Sequence, residues 1–483
     1  MLILVTGATG YVGGRLVPRL LEAGYRVRVL VRDPGRLQGR SWAGQVEVAQ
    51  GDVLRPETLP AALAGVNVAY YLVHSMAIAG DFPQRDLVAA RHFSTAAKEA
   101  GVERIIYLGG LGDPSTGLSK HLRSRQDTGA ILREAGVPVT EFRAAVIIGS
   151  GSVSFEIIRY LTERLPIILS PRWVFTPAQP IAIRDVLAYL KAALEVPESA
   201  GRIVEIGGAG VLSYKEMILG YAHARKLRRI LLPVPALSSS LSARVLHWLT
   251  PIPQSIALPL IEGLRNEVVV RDNTARRLFP DIVPMHYLTA VQLAFIRLET
   301  GRVETIWSTA LATSQGDKAP VMLAEQEGLM LESRTMVVEA SPRAVFQVFT
   351  GLGGDRGWFY GDWMWHWRGR LDRIIGGVGF RRRRRHPDEI SVGEALDFWR
   401  VEAVDPDRLL RLRAEMRTPG RAWLQFEAQP LPNSKTSLTQ TAFFFPTGLS
   451  GLLYWYLLYP VHKVIFSGLI QSIARRAESA SKT

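Results

Sequence analysis

The chain has 483 residues, 47% hydrophobic and 21% charged, with a formal net charge of +14 and no cysteine. That length and composition imply two to three domains with real cores and exclude an intrinsically disordered chain. The missing cysteines exclude disulfides, thiolate metal sites and thiol nucleophiles. No basic stretch leads into an apolar run at the N-terminus, so no secretory signal is expected and the expected compartment is the cytoplasm.

The apolar strand Met1-Leu2-Ile3-Leu4-Val5 runs straight into Thr6-Gly7-Ala8-Thr9-Gly10-Tyr11-Val12-Gly13 and then a helical pattern from Arg15. Strand, glycines three apart and helix, in that order, form a phosphate-binding turn for a dinucleotide. Gly7 allows the tight turn, Gly10 lets the backbone approach the pyrophosphate, and Gly13 lets the helix pack closely. Thr9, Tyr11 and Val12 complete the expected cofactor contacts, with the amides of the helix start facing the phosphates. A second strand, Arg26–Val31, ends at Arg32, where an NAD-selective site carries an acid for the ribose hydroxyls. A guanidinium there, helped by Arg15, pairs with a 2′-phosphate, so NADP(H) is expected over NAD(H); the alternative for both arginines is solvated surface charge.

Further strands are predicted at 46–50, 66–73, 104–108 and 139–143, with helices at 56–63, 85–100 and 120–135. Alternating strands and helices imply a parallel, doubly wound α/β sheet. Gly51-Asp52-Val53 follows the third strand. Asp52 and Val53 there can reach an adenine, or Asp52 simply accepts amides of its own turn.

The turn TGATGYVG, Arg32, GDV and the later Pro180-Ile181-Ala182-Ile183-Arg184-Asp185-Val186 resemble an atypical member of the short-chain dehydrogenase/reductase superfamily with a Rossmann-type sheet. The likeness is to the NmrA-like and complex-I-subunit-like NAD(P)-binding proteins and covers about residues 1–310. The chain as a whole resembles bacterial two-part proteins in which this domain precedes a DUF2867 domain. The resemblance implies catalysis by a Ser, a Tyr and a Lys. Counting back from Ala135-Gly136-Val137-Pro138-Val139-Thr140-Glu141-Phe142-Arg143, the Tyr position falls on His121, the Lys on Arg125, the following Glu on Gly129 and the Ser on Gly109 or Gly110. Every member of the relay is replaced, and Lys120 serves only if the helix register shifts. His121 with Arg125 then reads either as a rewired acid–base pair or as part of a surface helix whose cations face water.

Residues 149–309 read as the substrate side. Ser152–Arg164 is a helix, Asp185 is expected to cap the helix 186–194, and Ile203–Gly207 is a short strand. The Pro-, Ser- and Leu-rich stretch 231–259 either lines an apolar ligand pocket or packs as a lid. The polar, aperiodic segment Thr309–Pro320 marks a linker, bounded here as 311–324 between a first domain, 1–310, and a second, 325–483.

In the second domain a strand at Ser333–Ala340 leads to a helix with Ser341 as N-cap and Pro342 in its first turn. Short strands follow near 369–374, 378–384, 394–404, 408–415, 423–429 and 436–445, and a long apolar helix spans about 450–480. That order is the order of an α+β helix-grip domain of the START-like kind, an analogy that by itself names no ligand. Alternation of Trp363, Trp365 and Trp367 would place three indoles on one side of a strand, fit for an apolar small molecule or lipid; the alternative is a core cluster. His366 and His386 lack partners at ligand spacing, and no metal site is expected. The last helix is expected to be gripped inside its domain rather than to span a membrane.

The excess charge is concentrated at Arg381–Arg385. No nucleic-acid-binding motif accompanies it, so nucleic acid is not an expected partner, whereas peripheral contact with an anionic membrane stays open. Two function classes remain. One is an NADPH-dependent oxidoreductase acting on an apolar, quinone- or lipid-like compound. The other is a non-catalytic NADP(H) redox sensor or assembly protein with a lipid-binding second domain.

Overall fold

The computed structural model describes residues 1–37, 40–74, 82–234, 254–299, 321–326, 329–379 and 390–480. It divides into two compact units, Met1–Gln315 and Gly316–Thr483.

In the first unit the chain alternates β1 (Leu2–Thr6), α1 (Gly13–Glu22), β2 (Arg26–Val31), β3 (Glu47–Gln50), α2 (Leu59–Leu63), β4 (Val68–Tyr71), α3 (Phe82–Glu99), β5 (Arg104–Gly110), α4 (Lys120–Glu134) and β6 (Val139–Ala144). Short pieces follow: β7 (Ile147–Ile148), α5 (Val153–Arg164), β8 (Ile167–Ser170), β9 (Pro177–Ala178), β10 (Ile181–Ala182), α6 (Ile183–Ala192), β11 (Ile203–Ile206), β12 (Leu212–Ser213), α7 (Tyr214–Ala224), β13 (Ile230–Pro233), α8 (Gln254–Gly263), α9 (Thr274–Leu278) and α10 (Tyr287–Glu299). Seven parallel strands order as β11-β6-β5-β4-β1-β2-β3. The order reverses between β1 and β4, which opens a crevice at the carboxyl ends of the strands.

Helices cover both faces, so β1 is apolar throughout rather than alternating. Its odd residues Ile3 and Val5 enter one buried cluster with Val29, Tyr70 and Phe142. Its even residues Leu2 and Leu4 enter another with Ala69, Tyr71, Phe93 and Ile105. Thr6 fastens β1 to β4: its hydroxyl donates to the Tyr70 carbonyl at 3.0 Å and accepts from the Leu72 amide at 3.0 Å.

Asp185 does not cap a helix. α6 begins two residues earlier with Ala182 at its N-cap, and the Asp185 carboxylate instead accepts from the Met285 amide at 2.9 Å. That bond ties α6 to the segment entering α10. Most of the Pro-rich stretch, residues 235–253, lies outside the described residues, as do 311–320 of the expected linker. Residues 321–324 are already strand.

The second unit contains β14 (Val321–Gln326), β15 (Leu329–Val338), α11 (Pro342–Thr350), α12 (Asp362–Ile374), β16 (Ala395–Leu396), β17 (Trp399–Asp405), β18 (Leu409–Ala414), β19 (Gly420–Pro430), β20 (Thr436–Pro446) and α13 (Gly448–Ala480). Its sheet is antiparallel in the order β14-β15-β20-β19-β18-β17-β16. Ser341 caps α11, its hydroxyl accepting from the Ala344 amide. The core packs Val338, Phe349, Trp358, Leu412, Phe426 and Leu438 against Trp455, Phe466, Leu469 and Ile473 of α13. The terminal helix is therefore held by the sheet over its C-terminal half.

The strand expected near 369–374 is instead the end of α12, and residues 380–389, including Arg381–Arg385 and His386, lie outside the described residues.

Candidate functional site

Each glycine of the first turn has its own reason. Gly7 sits at φ +68°, a left-handed conformation in which a Cβ would lie 2.5 Å from the Leu72 carbonyl oxygen. A Cβ on Gly13 would collide with the Gly7 carbonyl. A Cβ on Gly10 would meet only the Gly7 carbonyl, at 3.1 Å, so its outer side is open. The turn thus presents bare backbone at the start of α1, beside the crevice, as a dinucleotide pyrophosphate requires.

The side chains divide differently from expectation. Tyr11 packs inward, its ring under the Arg15 guanidinium at 4.6 Å and its hydroxyl against Gly149. Val12 caps α1, and Thr9 offers its carbonyl to Arg40 Nη2 at 3.3 Å. Arg15 does not reach toward a ribose phosphate: it is buried and donates from Nη2 to the Ser150 carbonyl at 2.8 Å. Arg32 is exposed just past the end of β2. Sequence reasoning missed Arg40, brought to the turn by the chain after β2; burial and the nearby Arg15 hold its pKa below the ordinary arginine value. Asp52 closes its own turn, accepting from the Leu54 amide at 3.0 Å, and Val53 is core.

At the family's catalytic positions the structure gathers a different set. His121 opens α4 and is not a water-facing surface residue. Burial first, then the charges of His74 and Arg125, push its pKa well below the ordinary histidine value. Its ring lies 5.2 Å from that of His74, which follows β4, and His74 Nδ1 donates to the buried Asp86 carboxylate of α3 at 2.8 Å. Burial lowers the His74 pKa as well, against the pull of Asp86. Arg125 donates to the Leu108 carbonyl and lies over the Tyr107 ring at 5.2 Å, so it braces β5 and does not pair with His121 as an acid–base partner. The Tyr107 hydroxyl donates to the Arg125 carbonyl, and burial pushes its pKa up to about 12.

The positions expected for the Ser and the Glu are closely packed. A Cβ on Gly110 would stand 3.0 Å from the end of the Leu122 side chain and 3.5 Å from the Arg125 Cβ, so α4 lies close on β5 there. A Cβ on Gly129 would fall on the Glu141 carboxylate, which is fully buried between Arg133 and Arg143. The space beside position 129 is taken by an acid from β6.

In the second unit the expected indole ladder is corrected: 362–374 is helical. Trp363 and Trp367 point to solvent, and only Trp365 is buried, stacked on Trp358 at 4.6 Å. His366 does have an acidic neighbour, Asp362 at 3.0 Å. Among the described residues no three potential metal ligands gather. Trp365, Arg368, Trp399, Trp423, Trp455 and His462 help line a cavity of about 140 Å³ between the sheet, α12 and α13. That is below the ~300 Å³ of typical small-molecule sites.

A doubly wound sheet with an open glycine turn at its switch point is the architecture of a nicotinamide-dinucleotide-binding protein. Residues 7–146 match the family model described as "NAD(P)H-binding", and residues 329–469 match the "Protein of unknown function (DUF2867)". A (4-alkanoyl-5-oxo-2,5-dihydrofuran-3-yl)methyl phosphate reductase of Streptomyces griseus is 30% identical over 252 residues, covering 50% of this chain and 81% of its own. The alpha subcomplex subunit 9 of the mitochondrial NADH dehydrogenase of Arabidopsis thaliana is 27% identical over 310 residues, covering 60% and 76%. Among solved structures, the NADPH complex of an Escherichia coli NADPH-dependent quinone oxidoreductase superposes with a TM-score of 0.50 at 20% identity, covering 61% of this chain and 99% of that one. The chain belongs to the NAD(P)H-binding, NmrA-like atypical short-chain dehydrogenase/reductases, joined to a DUF2867 domain.

Proposed function

We propose that the protein is a cytoplasmic NADPH-dependent reductase of an apolar carbonyl- or quinone-type compound, with His121 as the group that assists and protonates the reduced oxygen. The observation that carries this reading is the Asp86–His74–His121 cluster at the sheet's switch point, where the family would place its Tyr and Lys. NADPH, when bound, supplies a hydride. The open backbone of the glycine turn would hold its pyrophosphate, and Arg32 with Arg40 its 2′-phosphate. A neutral imidazole buried beside the crevice donates an N–H to a carbonyl oxygen and stabilises the negative charge that grows there. Asp86 fixes the proton of His74 on Nδ1, which leaves His74 Nε2 an acceptor beside the His121 ring, and the proton that His121 gives up is replaced from water.

A non-catalytic NADP(H) sensor is the competing reading, favoured by the engagement of Arg125 with Leu108 and Tyr107, which leaves the family's Lys role unfilled. The test is NADPH oxidation with a panel of quinones and aldehydes. Turnover that falls by about 10²- to 10⁴-fold in His121→Phe, with cofactor affinity retained, supports the reductase. Full turnover in His121→Phe removes His121 from the chemistry, and no turnover with any of the compounds leaves the sensor.

A further inference from the structure

Two helices of the second unit carry apolar faces that nothing in the described structure covers. On α12 the exposed residues are Trp363 (66% exposed), Trp367 (63%), Leu371 and Ile374. Their spacing of four, four and three puts them on one stripe of the helix. On α13 the exposed set is Leu449, Leu453, Tyr456, Leu457, Val461 and Val464, again at helical spacing. Isolated exposed apolar residues are ordinary; two continuous stripes with two open indoles are not.

The charge among these stripes is mostly positive, the half-exposed Asp362 at the start of α12 being paired with His366. Arg370 and Arg373 stand exposed on α12 and Lys463 on α13. Between Trp363 and Ile374 the one acid is Asp372, which is buried and accepts from the Gly379 and Arg417 amides. From Gly448 to Arg476 there is no acid at all.

We propose that these two helix faces form a docking surface for an anionic lipid bilayer, seated at the depth of the headgroups. A protein partner with an apolar groove would have to desolvate Arg370, which lies within the α12 stripe. At a bilayer surface its guanidinium reaches a lipid phosphate while the indoles occupy the interface they prefer. The seat is interfacial and not a span. The exposed apolar face of α13 stops near Val464, whereas Ile465, Phe466, Leu469, Ile470, Ile473 and Ala477 are built into the unit's core. A crossing needs about 20 lipid-facing residues and would pull that core open.

The full-length protein is mixed with vesicles of phosphatidylcholine alone or with about one quarter phosphatidylglycerol, and bound protein is sedimented. Binding is expected to the anionic vesicles, about tenfold tighter than to neutral ones and weakened by high salt. Trp363→Ser/Trp367→Ser and, separately, Leu453→Ser/Leu457→Ser should each lower it by about tenfold, with the circular dichroism spectrum and NADPH affinity unchanged. Quenching of tryptophan fluorescence by brominated lipid chains should disappear in the first variant. Absence of binding to anionic vesicles overturns the proposal, as does undiminished binding by both variants. A dimer in solution that both variants dissociate also overturns it and assigns the faces to a second copy of the chain.

Discussion

Leu469 lies on the buried side of α13, fully enclosed in the core with its helix neighbours Phe466 and Ile473. Truncating it to Ala removes the transfer energy of its side chain and leaves a hole that the sheet cannot close, at a cost of about 2–5 kcal/mol. For a unit of this size, at about 2–4 °C per kcal/mol, the thermal midpoint should fall by roughly 5–15 °C. Leu457 on the same helix is 76% exposed, and Leu457→Ala should change stability by less than about 0.5 kcal/mol. Differential scanning calorimetry and urea unfolding of the whole chain, followed by tryptophan fluorescence, report the second unit, since most of its indoles lie there. NADPH binding should survive in both variants because the first unit keeps its own core. Equal effects of the two substitutions, or an unmoved midpoint for Leu469→Ala, would refute the view that the C-terminal half of α13 belongs to this core.

Two further outcomes concern the first unit. Arg32→Ala should weaken NADPH by about 1–3 kcal/mol, measured by titration calorimetry, and leave NADH almost untouched; an equal loss for both would remove the 2′-phosphate role. Acidification should destabilise the first unit from about pH 6.5 downward. His74 and His121 have depressed pKa values when folded, so the unfolded chain binds their protons first and stability is lost as pH falls. Urea midpoints that stay flat between pH 7 and 5, or that are equally steep in His121→Phe, would contradict this.

The readable parts of the sequence were those in which local chemistry and tertiary role coincide. The glycine turn is such a case, because chain reversal, close packing and an open backbone all demand glycine within seven residues. Ser341-Pro342 is another, since a cap is satisfied by its own helix. The tryptophans were misread because W-x-W-x-W fits period two, while the wider run Trp363, Trp367, Leu371, Ile374 fits a helix; burial of Trp365 alone decides between them. Arg15 looked like a phosphate ligand by position along α1, but its guanidinium turns to Ser150, far away in sequence. His74 left no local signal. Its partners lie 12 and 47 positions further on, on different helices, and only the parallel pairing of β4 with β5 brings them together.

The packing of Glu141 against Gly129 constrains what α4 can become. Gly129 and Glu141 occupy one space, and two arginines are tuned to the acid that now fills it. Restoring a glutamate at 129 alone would force two carboxylates together, and removing Glu141 alone would strand two cations around a void. Position 129 is therefore held at glycine by a side chain on β6, and the two positions can change only together.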